Sequence, residues 1–296
     1  MKVTINNKEY EFIKSSIEDN PYRESYFDLV KKVFGLDFTI WYKSGFCDDS
    51  FVTYTLFCDG AAVATAGVVV NDFVFEGNPK RFAQISTVAT DPEYRGMGLS
   101  NFLVERVLDD WRENCDCIYL YANDSVTEFY PKFGFIPADE FMYSRPLTKT
   151  GGDFRKLNLS CQEDAALLAH KLEKPNPFSK LALVGGIGIT MFHCFTFLRD
   201  SIYYIEEHDA VIIADQDEEE MFCYDVYANN DCRLEDLLGI IAEEGTVEVA
   251  LGFTPKSSEG YTVTELEEGN STLFVLEGKE NIFAKGKVVL PFLSRA

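Results

Sequence analysis

At 296 residues, 46% hydrophobic and 14% aromatic, the chain carries too much apolar material for a disordered polymer and, at ~150 residues per domain, enough for two. The net charge of −22 is shared by both halves: 15 basic against 23 acidic groups in residues 1–150, 12 against 26 in 151–296. That sign argues against nucleic acid and anionic membranes as partners, and it fits plain solubility as well as attraction of a cationic amine. No apolar run reaches the ~18 residues of a spanning helix and no basic-then-apolar leader opens the sequence, so a cytoplasmic location is expected. The eight cysteines, scattered in apolar surroundings, read as reduced core residues, and with Cys115-x-Cys117 wrongly spaced for zinc no metal is expected.

In chain order, residues 3–14 alternate as a strand, with a turn at Asn6-Asn7-Lys8. Asp19-Asn20-Pro21 signals a helix start, Tyr22, Tyr26, Leu29, Val30, Val33 and Phe34 form its apolar face, and Gly35 closes it. A shorter helix is expected over 38–43. Residues 51–58 and 61–72 are strands around the hairpin turn Asp59-Gly60. A further turn at 76–79 precedes the strand 84–90. After Asp91-Pro92-Glu93-Tyr94 comes Arg95-Gly96-Met97-Gly98-Leu99-Ser100, and at once a helical pattern in Leu99, Phe102, Leu103, Val107 and Trp111. The strand 117–121 leads to Asn123, expected to open a fourth helix, then to Phe129-Tyr130-Pro131-Lys132-Phe133-Gly134-Phe135, and a strand at 141–146 closes the unit.

Strand, glycine turn and helix start together make an anion site. The first N–H groups of a helix have no partner inside it, and glycine lets an anion approach them. The segment lacks the lysine of a Walker loop and the position of a dinucleotide fingerprint. Its wording, Arg95-x-x-Gly98-x-Ser100, resembles motif A of the GCN5-related N-acetyltransferases (GNAT), with Ser100 where that motif has Gly or Ala. Phe-Tyr-x-x-Phe-Gly-Phe, at the distance found here, resembles their motif B. The resemblance spans about residues 1–147 and implies the GNAT fold: α+β, three layers, with a mixed, mostly antiparallel central sheet.

It also implies roles. Gly96 and Gly98, with the N–H groups of Met97, Leu99 and Ser100, would hold the pyrophosphate of acetyl-coenzyme A, and Arg95 would pair with phosphate or else lie on the surface. Val88, Ala89 and Thr90 would bond the pantetheine amides as a partner strand does. Asn123 would reach the pantetheine arm or simply cap its helix. Tyr130 would act as general acid on the departing thiolate, a phenol of pKa about 10 being a competent donor, or else be a packed aromatic. For the base, Asp139 and Glu140 qualify by location, and the carboxylate of Ala296 is an alternative taken from tandem relatives.

After a linker at 148–153, the second half repeats much of the first half's order: a strand at 154–159, a helix at 162–172, an apolar segment at 178–198, strands at 201–206, 210–214 and 221–227, a helix at 234–243, and strands at 247–253, 262–267 and 273–276. Residues 228–233 contain no glycine where a phosphate loop would stand, and Asp231 reads as a helix cap. The expected domains are therefore 1–147, catalytic, and 154–296, a smaller, degenerate GNAT-like unit. Gly185-Gly186-Ile187-Gly188 reads as a packing point, and His193-Cys194 as core. The expected activity is transfer of acetyl from acetyl-CoA to a primary amine by direct attack in a ternary complex. A non-catalytic acyl-CoA sensor and transfer of a longer acyl group are the rivals. An assembly of identical chains is compatible with the sequence.

Overall fold

A computed structural model describes every residue except 230 and 285. Strands β1 (Lys2–Ile5) and β2 (Lys8–Ser16) are joined through Asn6 and Asn7, both left-handed, with φ of 49° and 64°. Helix α1 (Arg23–Phe34) stops at Gly35, whose left-handed backbone turns its N–H onto the Lys31 carbonyl, and α2 (Thr39–Ser44) stops at Gly45 in the same way. Strands β3 (Phe51–Cys58), β4 (Ala61–Phe75) and β5 (Asn78–Thr90) form a meander through Asp59-Gly60 and Glu76-Gly77, all four residues at positive φ. Helix α3 (Leu99–Trp111) crosses over and β6 (Cys117–Asn123) returns parallel to β5, followed by β7 (Phe135–Pro137).

Then come β8 (Phe141–Pro146), β9 (Arg155–Lys156), α4 (Gln162–Leu172), β10 (Leu181–Val184), α5 (Ile187–Thr196), β11 (Ile202–Ile205), β12 (Ala210–Asp217), β13 (Glu220–Tyr227), α6 (Leu234–Ile241), β14 (Glu248–Leu251), β15 (Thr262–Glu265) and β16 (Ser271–Leu276). The first sheet runs β1-β2-β3-β4-β5-β6-β16-β7, with β10 added at the far end of β4. The second runs β15-β8-β14-β13-β12-β11-β9. Both are antiparallel except where a helix crosses over, at β5/β6 and β13/β14. This is the expected α+β fold, and the second sheet repeats the inner order of the first.

The expected boundary between 147 and 154 does not separate the sheets. β8 lies in the second sheet between β14 and β15, and β16 lies in the first between β6 and β7. Each half completes the other. The hydrophobic pattern could not reveal this, because the pattern of a six-residue strand says which of its residues are buried and not which sheet buries them. Cohesion continues around the exchange. One core joins Phe38, Trp41, Phe51 and Phe73 to Leu181, Ile189, Phe192, Leu273, Val275 and Leu290. Gly188 is a close-packing point: its N–H meets the Asp48 carboxylate at 3.1 Å, its carbonyl receives Trp41 Nε1 at 2.9 Å, and a Cβ there would strike Asp48.

Two local expectations are corrected. In place of a fourth helix, Asp124–Val126 and Tyr130–Phe133 form separate 3-10 turns, the second with Pro131 in its first turn and stopped by left-handed Gly134. Asp231 does not cap α6, whose N-cap is Arg233 without a side-chain bond. Asn230, in the same loop, lies outside the described residues.

Leu273, Phe274, Val275 and Leu276 of β16 are all at most 4% exposed. At about 1.5–3 kcal/mol for each buried side chain, removing them forfeits an amount comparable with a whole domain's stability of about 5–15 kcal/mol. Residues 1–147 expressed alone should therefore show no cooperative unfolding transition, whereas the full chain should melt in one. Calorimetry of both would decide, and two separate transitions in the full chain would contradict a shared core.

Candidate active site

The site begins with a fault in the sheet. β5 pairs with β6 only from Phe82/Cys117 to Ile85/Leu120, and beyond that the strands part. On the other side the register of β5 against β4 slips between Thr65 and Gly67, and Thr87 takes a φ of 45°. A β-branched residue in the left-handed region costs on the order of 1–3 kcal/mol, so something must hold it there. Gly67 makes the room: a Cβ on it would come within 2.5 Å of Thr87 Oγ1 and 2.6 Å of the Phe51 ring. The bulge turns residues 88–90 away from β6 and opens a cleft.

The loop at 95–100 faces that cleft. Gly96 and Gly98 are both left-handed, with φ of 75° and 76°, and Gly98 is the N-cap of α3 without any side-chain cap. Among the described residues, none of the N–H groups of residues 96–100 finds an acceptor. Five orphan donors at a helix start suit a phosphate, so these residues fit the pyrophosphate of coenzyme A. Val88, Ala89, Thr90, Arg95, Gly96, Gly98, Leu99, Ser100 and Asn123 line one hollow of about 1460 Å³, open solvent included. Of the sequence-predicted cofactor residues only Met97 is outside the lining. Its carbonyl instead accepts Asn6 Nδ2 at 2.8 Å, and its sulfur receives the Tyr10 hydroxyl at 3.7 Å. Asn6 thus fixes the loop from the β1–β2 hairpin, a role that a turn signal alone could not announce.

Ser100 Oγ and Thr90 Oγ1 lie 2.8 Å apart, tying the helix start to the strand. Arg95 is exposed and its Nε makes one long bond, 3.4 Å, to the Thr90 carbonyl, leaving the rest of the guanidinium free toward the cleft. Asn123 does cap: its Oδ1 accepts the Ser125 N–H at 3.1 Å, at the start of a 3-10 turn. The Tyr130 ring, 6% exposed, packs against Phe129, Phe135 and Phe274. Burial pushes its hydroxyl up to about 12. Phe129 lines the cleft, and Tyr130 follows it directly.

A second hollow lies beside α2. Its walls are Leu36, Phe38, Trp41, Phe51 and Val69 from the first half, and Ile189 and Phe192 from α5. Ser86, Thr87 and Ala296 also line it, and Ser86 and Thr87 directly precede the residues of β5, Val88 to Thr90, that line the first. Gln84 holds Ala296 twice, Nε2 to its carbonyl oxygen at 2.8 Å and Oε1 from its N–H at 2.9 Å. Upstream, the Asn71 amide bonds the Ser294 carbonyl at 3.1 Å, and His193 Nε2 lies 2.7 Å from the Arg295 carbonyl oxygen.

Glu140 is an anchor for this segment. Arg295 Nη2 reaches both its oxygens at 3.1 Å, Leu290 N–H donates at 2.7 Å and the Tyr121 hydroxyl at 2.9 Å, while Arg295 also pairs with Glu268 and stacks on Phe292. Burial pushes the Glu140 carboxyl up against the pull of Arg295 and these donors. A carboxylate so fully engaged has no oxygen left for a substrate proton, which removes Glu140 from the candidate bases. His193 and Cys194 form no nucleophile pair; Cys194 is sealed in the core and burial holds the His193 imidazole below its usual range.

Residues 15–135 match the sequence model of the acetyltransferase (GNAT) family. The chain therefore carries a GNAT-family domain over those residues, and acyl transfer is that family's chemistry. None of the curated proteins matches the sequence. Among solved structures, the chain resembles a probable N-acyltransferase from Enterococcus faecalis at 16% identity and TM-score 0.54, over 90% of this chain and 72% of that one. It resembles Eis1 from Mycobacterium abscessus at 14% and 0.56, over 88% and 73%. A GCN5-related N-acetyltransferase from Kribbella flavida gives 16% and 0.52, over 90% and 71%. At such identities the likeness is one of fold, and it takes in both halves of the chain. Among the described residues no metal-binding group of His, Cys, Asp or Glu occurs, and no helix is long and apolar enough to cross a membrane.

Glu140→Ala strips a buried guanidinium of its better partner and should cost about 3 kcal/mol, as breaking a buried pair does. In a double-mutant cycle by urea denaturation, adding Arg295→Ala should cost little more. Strict additivity of the two losses would show that they do not act as a pair.

Proposed function

We propose that the protein transfers an acetyl group from acetyl-CoA to a primary amine by direct attack in a ternary complex. The observation that carries this is the convergence of the parted strands, the orphan N–H groups of residues 96–100 and the second hollow on one bulge at Thr87. Acetyl-CoA supplies an activated thioester. Gly96, Met97, Gly98, Leu99 and Ser100 hold its pyrophosphate through main-chain N–H groups, with Arg95 adding charge. Val88, Ala89 and Thr90 offer the freed edge of β5 to the pantetheine amides. Asn123 borders the same arm, though its cap already uses one lone pair.

The reaction balances simply. The amine nitrogen forms a C–N bond to the acetyl carbon, the C–S bond breaks, the nitrogen gives up a proton and the sulfur takes one. Tyr130 supplies the latter, and a hydroxyl held at about 12 stays protonated throughout the working range. The carboxyl of Ala296, fixed by Gln84 in the lining of the second hollow, takes the former, directly or through water. Holding both partners at the bulge contributes most of the acceleration, as it does wherever two reactants are brought into line. The second sheet's unit, whose loop 228–233 has no glycine, takes no acetyl-CoA in this reading.

Four measurements test it. Tyr130→Phe should lower kcat by at least tenfold with coenzyme A affinity unchanged; full activity would remove Tyr130 from the mechanism. The kcat/KM profile should rise as the amine loses its proton and show no falling limb up to pH ~10, because Tyr130 deprotonates only beyond it. A fall beginning near pH 8 would identify another acid. Asn6→Ala should weaken coenzyme A binding severalfold by calorimetry, and one residue appended after Ala296 should reduce turnover tenfold without affecting that binding. If coenzyme A binds and no amine is acetylated, a sensor of acyl-CoA becomes the better account.

A further inference from the structure

The apolar face of α1 runs out over the first hollow. Phe27, Val30 and Phe34 follow one another at spacings of three and four residues, so a single stripe of the helix carries all three. Phe27 is 7% exposed and Val30 0%, both in one core with Phe51, Val69 and Phe73. Phe34, on the same stripe, is 44% exposed. The helix has not yet ended there: Phe34 is its last residue, and only Gly35, left-handed, breaks it. What is missing is a sheet beneath the ring. Val33 and Phe34 line the hollow at the place where β5 and β6 have parted.

A second apolar side chain is left bare on the other parted strand. Val126, in the 3-10 turn that follows β6, lines the same hollow and is 40% exposed. Single exposed apolar residues are ordinary on a protein surface, but two that line one cleft mark area for a ligand to cover. The chemistry of that ligand is constrained on both sides. The unpaired N–H groups of residues 96–100 take phosphate, and residues 88–90 offer strand edge to amides. An apolar branch must therefore lie between a phosphate and an amide. Coenzyme A has one: a single CH2 separates its pyrophosphate from the pantoyl carbon that bears two methyl groups, and both amides come after. Its other apolar part, the adenine, lies on the far side of the pyrophosphate. Helix α1 packs over β4 and β5, so Phe34 belongs with the strand that receives the arm.

We propose that Phe34 and Val126 are positioning residues that clasp the two methyl groups of the pantoyl unit, one from α1 and one from the turn after β6. This rests on the coenzyme A reading of the hollow. The phosphates fix one end of the arm; the clasp sets how far the arm runs along β5, and so where the thioester stands. Phe34 thereby completes in the complex the buried stripe that it leaves open in the free chain.

The test titrates the full chain by calorimetry with coenzyme A, with 4′-phosphopantetheine and with adenosine 3′,5′-bisphosphate, which lacks the arm. Phe34→Ser should raise Kd for the first two at least about fivefold and leave the bisphosphate unchanged. Phe34→Leu, still apolar, should restore most of the affinity, and Val126→Ser should weaken the same two ligands by a smaller factor. Because Phe34 already meets solvent, the melting temperature of unliganded Phe34→Ser should hold, while the rise brought by a fixed excess of coenzyme A should shrink. Unchanged coenzyme A affinity in Phe34→Ser would overturn the clasp. An equal loss for the bisphosphate would overturn it too, by setting the ring against the nucleotide, and so would an effect confined to the KM of the amine, by making Phe34 a wall for the acceptor. If the natural chain binds neither coenzyme A nor 4′-phosphopantetheine, the cofactor reading itself falls and the clasp falls with it.

Discussion

The candidate site follows from one fault: the parting of β5 from β6 after four paired residues. Parallel strands stay paired unless something pulls one aside. Here the pull is Thr87, forced into a left-handed backbone, and the space for it is Gly67, the one residue on β4 that brings no side chain against Thr87 Oγ1. The strain is local and the surrounding sheet is otherwise sealed, with Thr65, Ile85 and Ala89 all buried. Parting exposes unpaired backbone along residues 88–90 on one side of the bulge and leaves Ser86 and Thr87 hydroxyls without partners on the other. A single bulge therefore generates both hollows.

The second hollow could not exist in the first half alone. Its walls include Ile189 and Phe192 of α5, which is pinned to α2 through Trp41, Gly188 and Asp48. The last residues complete it. Arg295, buried and paired with Glu140 and Glu268, stakes the tail so that Ala296 reaches Gln84. In an apolar interior a charge pair of this kind adds less net stability than it adds definition of place, since its alternative positions would leave charge unpaired. The second hollow is thus assembled from three stretches far apart in sequence.

That distance explains what the sequence could and could not reveal. The glycine-marked loop, α3 beginning at Leu99, the hairpins at Asp59-Gly60 and Asn6-Asn7 and the closing of α1 at Gly35 are local events, written in residues that need a particular φ or a helical period, and they were legible. The cleft residues on either side of the loop followed from the motif. The fourth helix was misread because the motif's spacing is indifferent to whether the turns are α or 3-10, and Pro131 with Gly134 settled it. The strand exchange was illegible in principle: hydrophobic alternation states which face of a strand is buried and is silent on which sheet buries it. Asn6, Gly67 and Gln84 were missed for a related reason, since each meets a residue far along the chain, Met97, Thr87 and Ala296, 91, 20 and 212 positions away respectively.

The second sheet provides the internal control. β13 and β14 also pair for four residues and then part, after Cys223 and Leu251. There, however, the chain fills its own gap. Gly252 N–H bonds back to the Cys223 carbonyl at 2.7 Å and its carbonyl takes Phe292 N–H at 2.9 Å, while the Thr254 carbonyl takes Lys180 N–H at 2.7 Å. Asp225, fully buried, accepts from Asn176 at 2.5 Å, Val226 N–H at 3.0 Å and the Tyr227 hydroxyl at 2.8 Å, and burial still pushes its carboxyl up to about 6. Groups that on the first sheet are left open have partners here, and the carboxyl among them would repel the phosphates of a nucleotide. The same sheet order thus leads to a cleft in one half and a plug in the other. Beyond the plug the chain passes through a 3-10 turn at Phe292–Ser294 to Ala296, which lines the second hollow, so the end of the second unit helps to wall a hollow of the first.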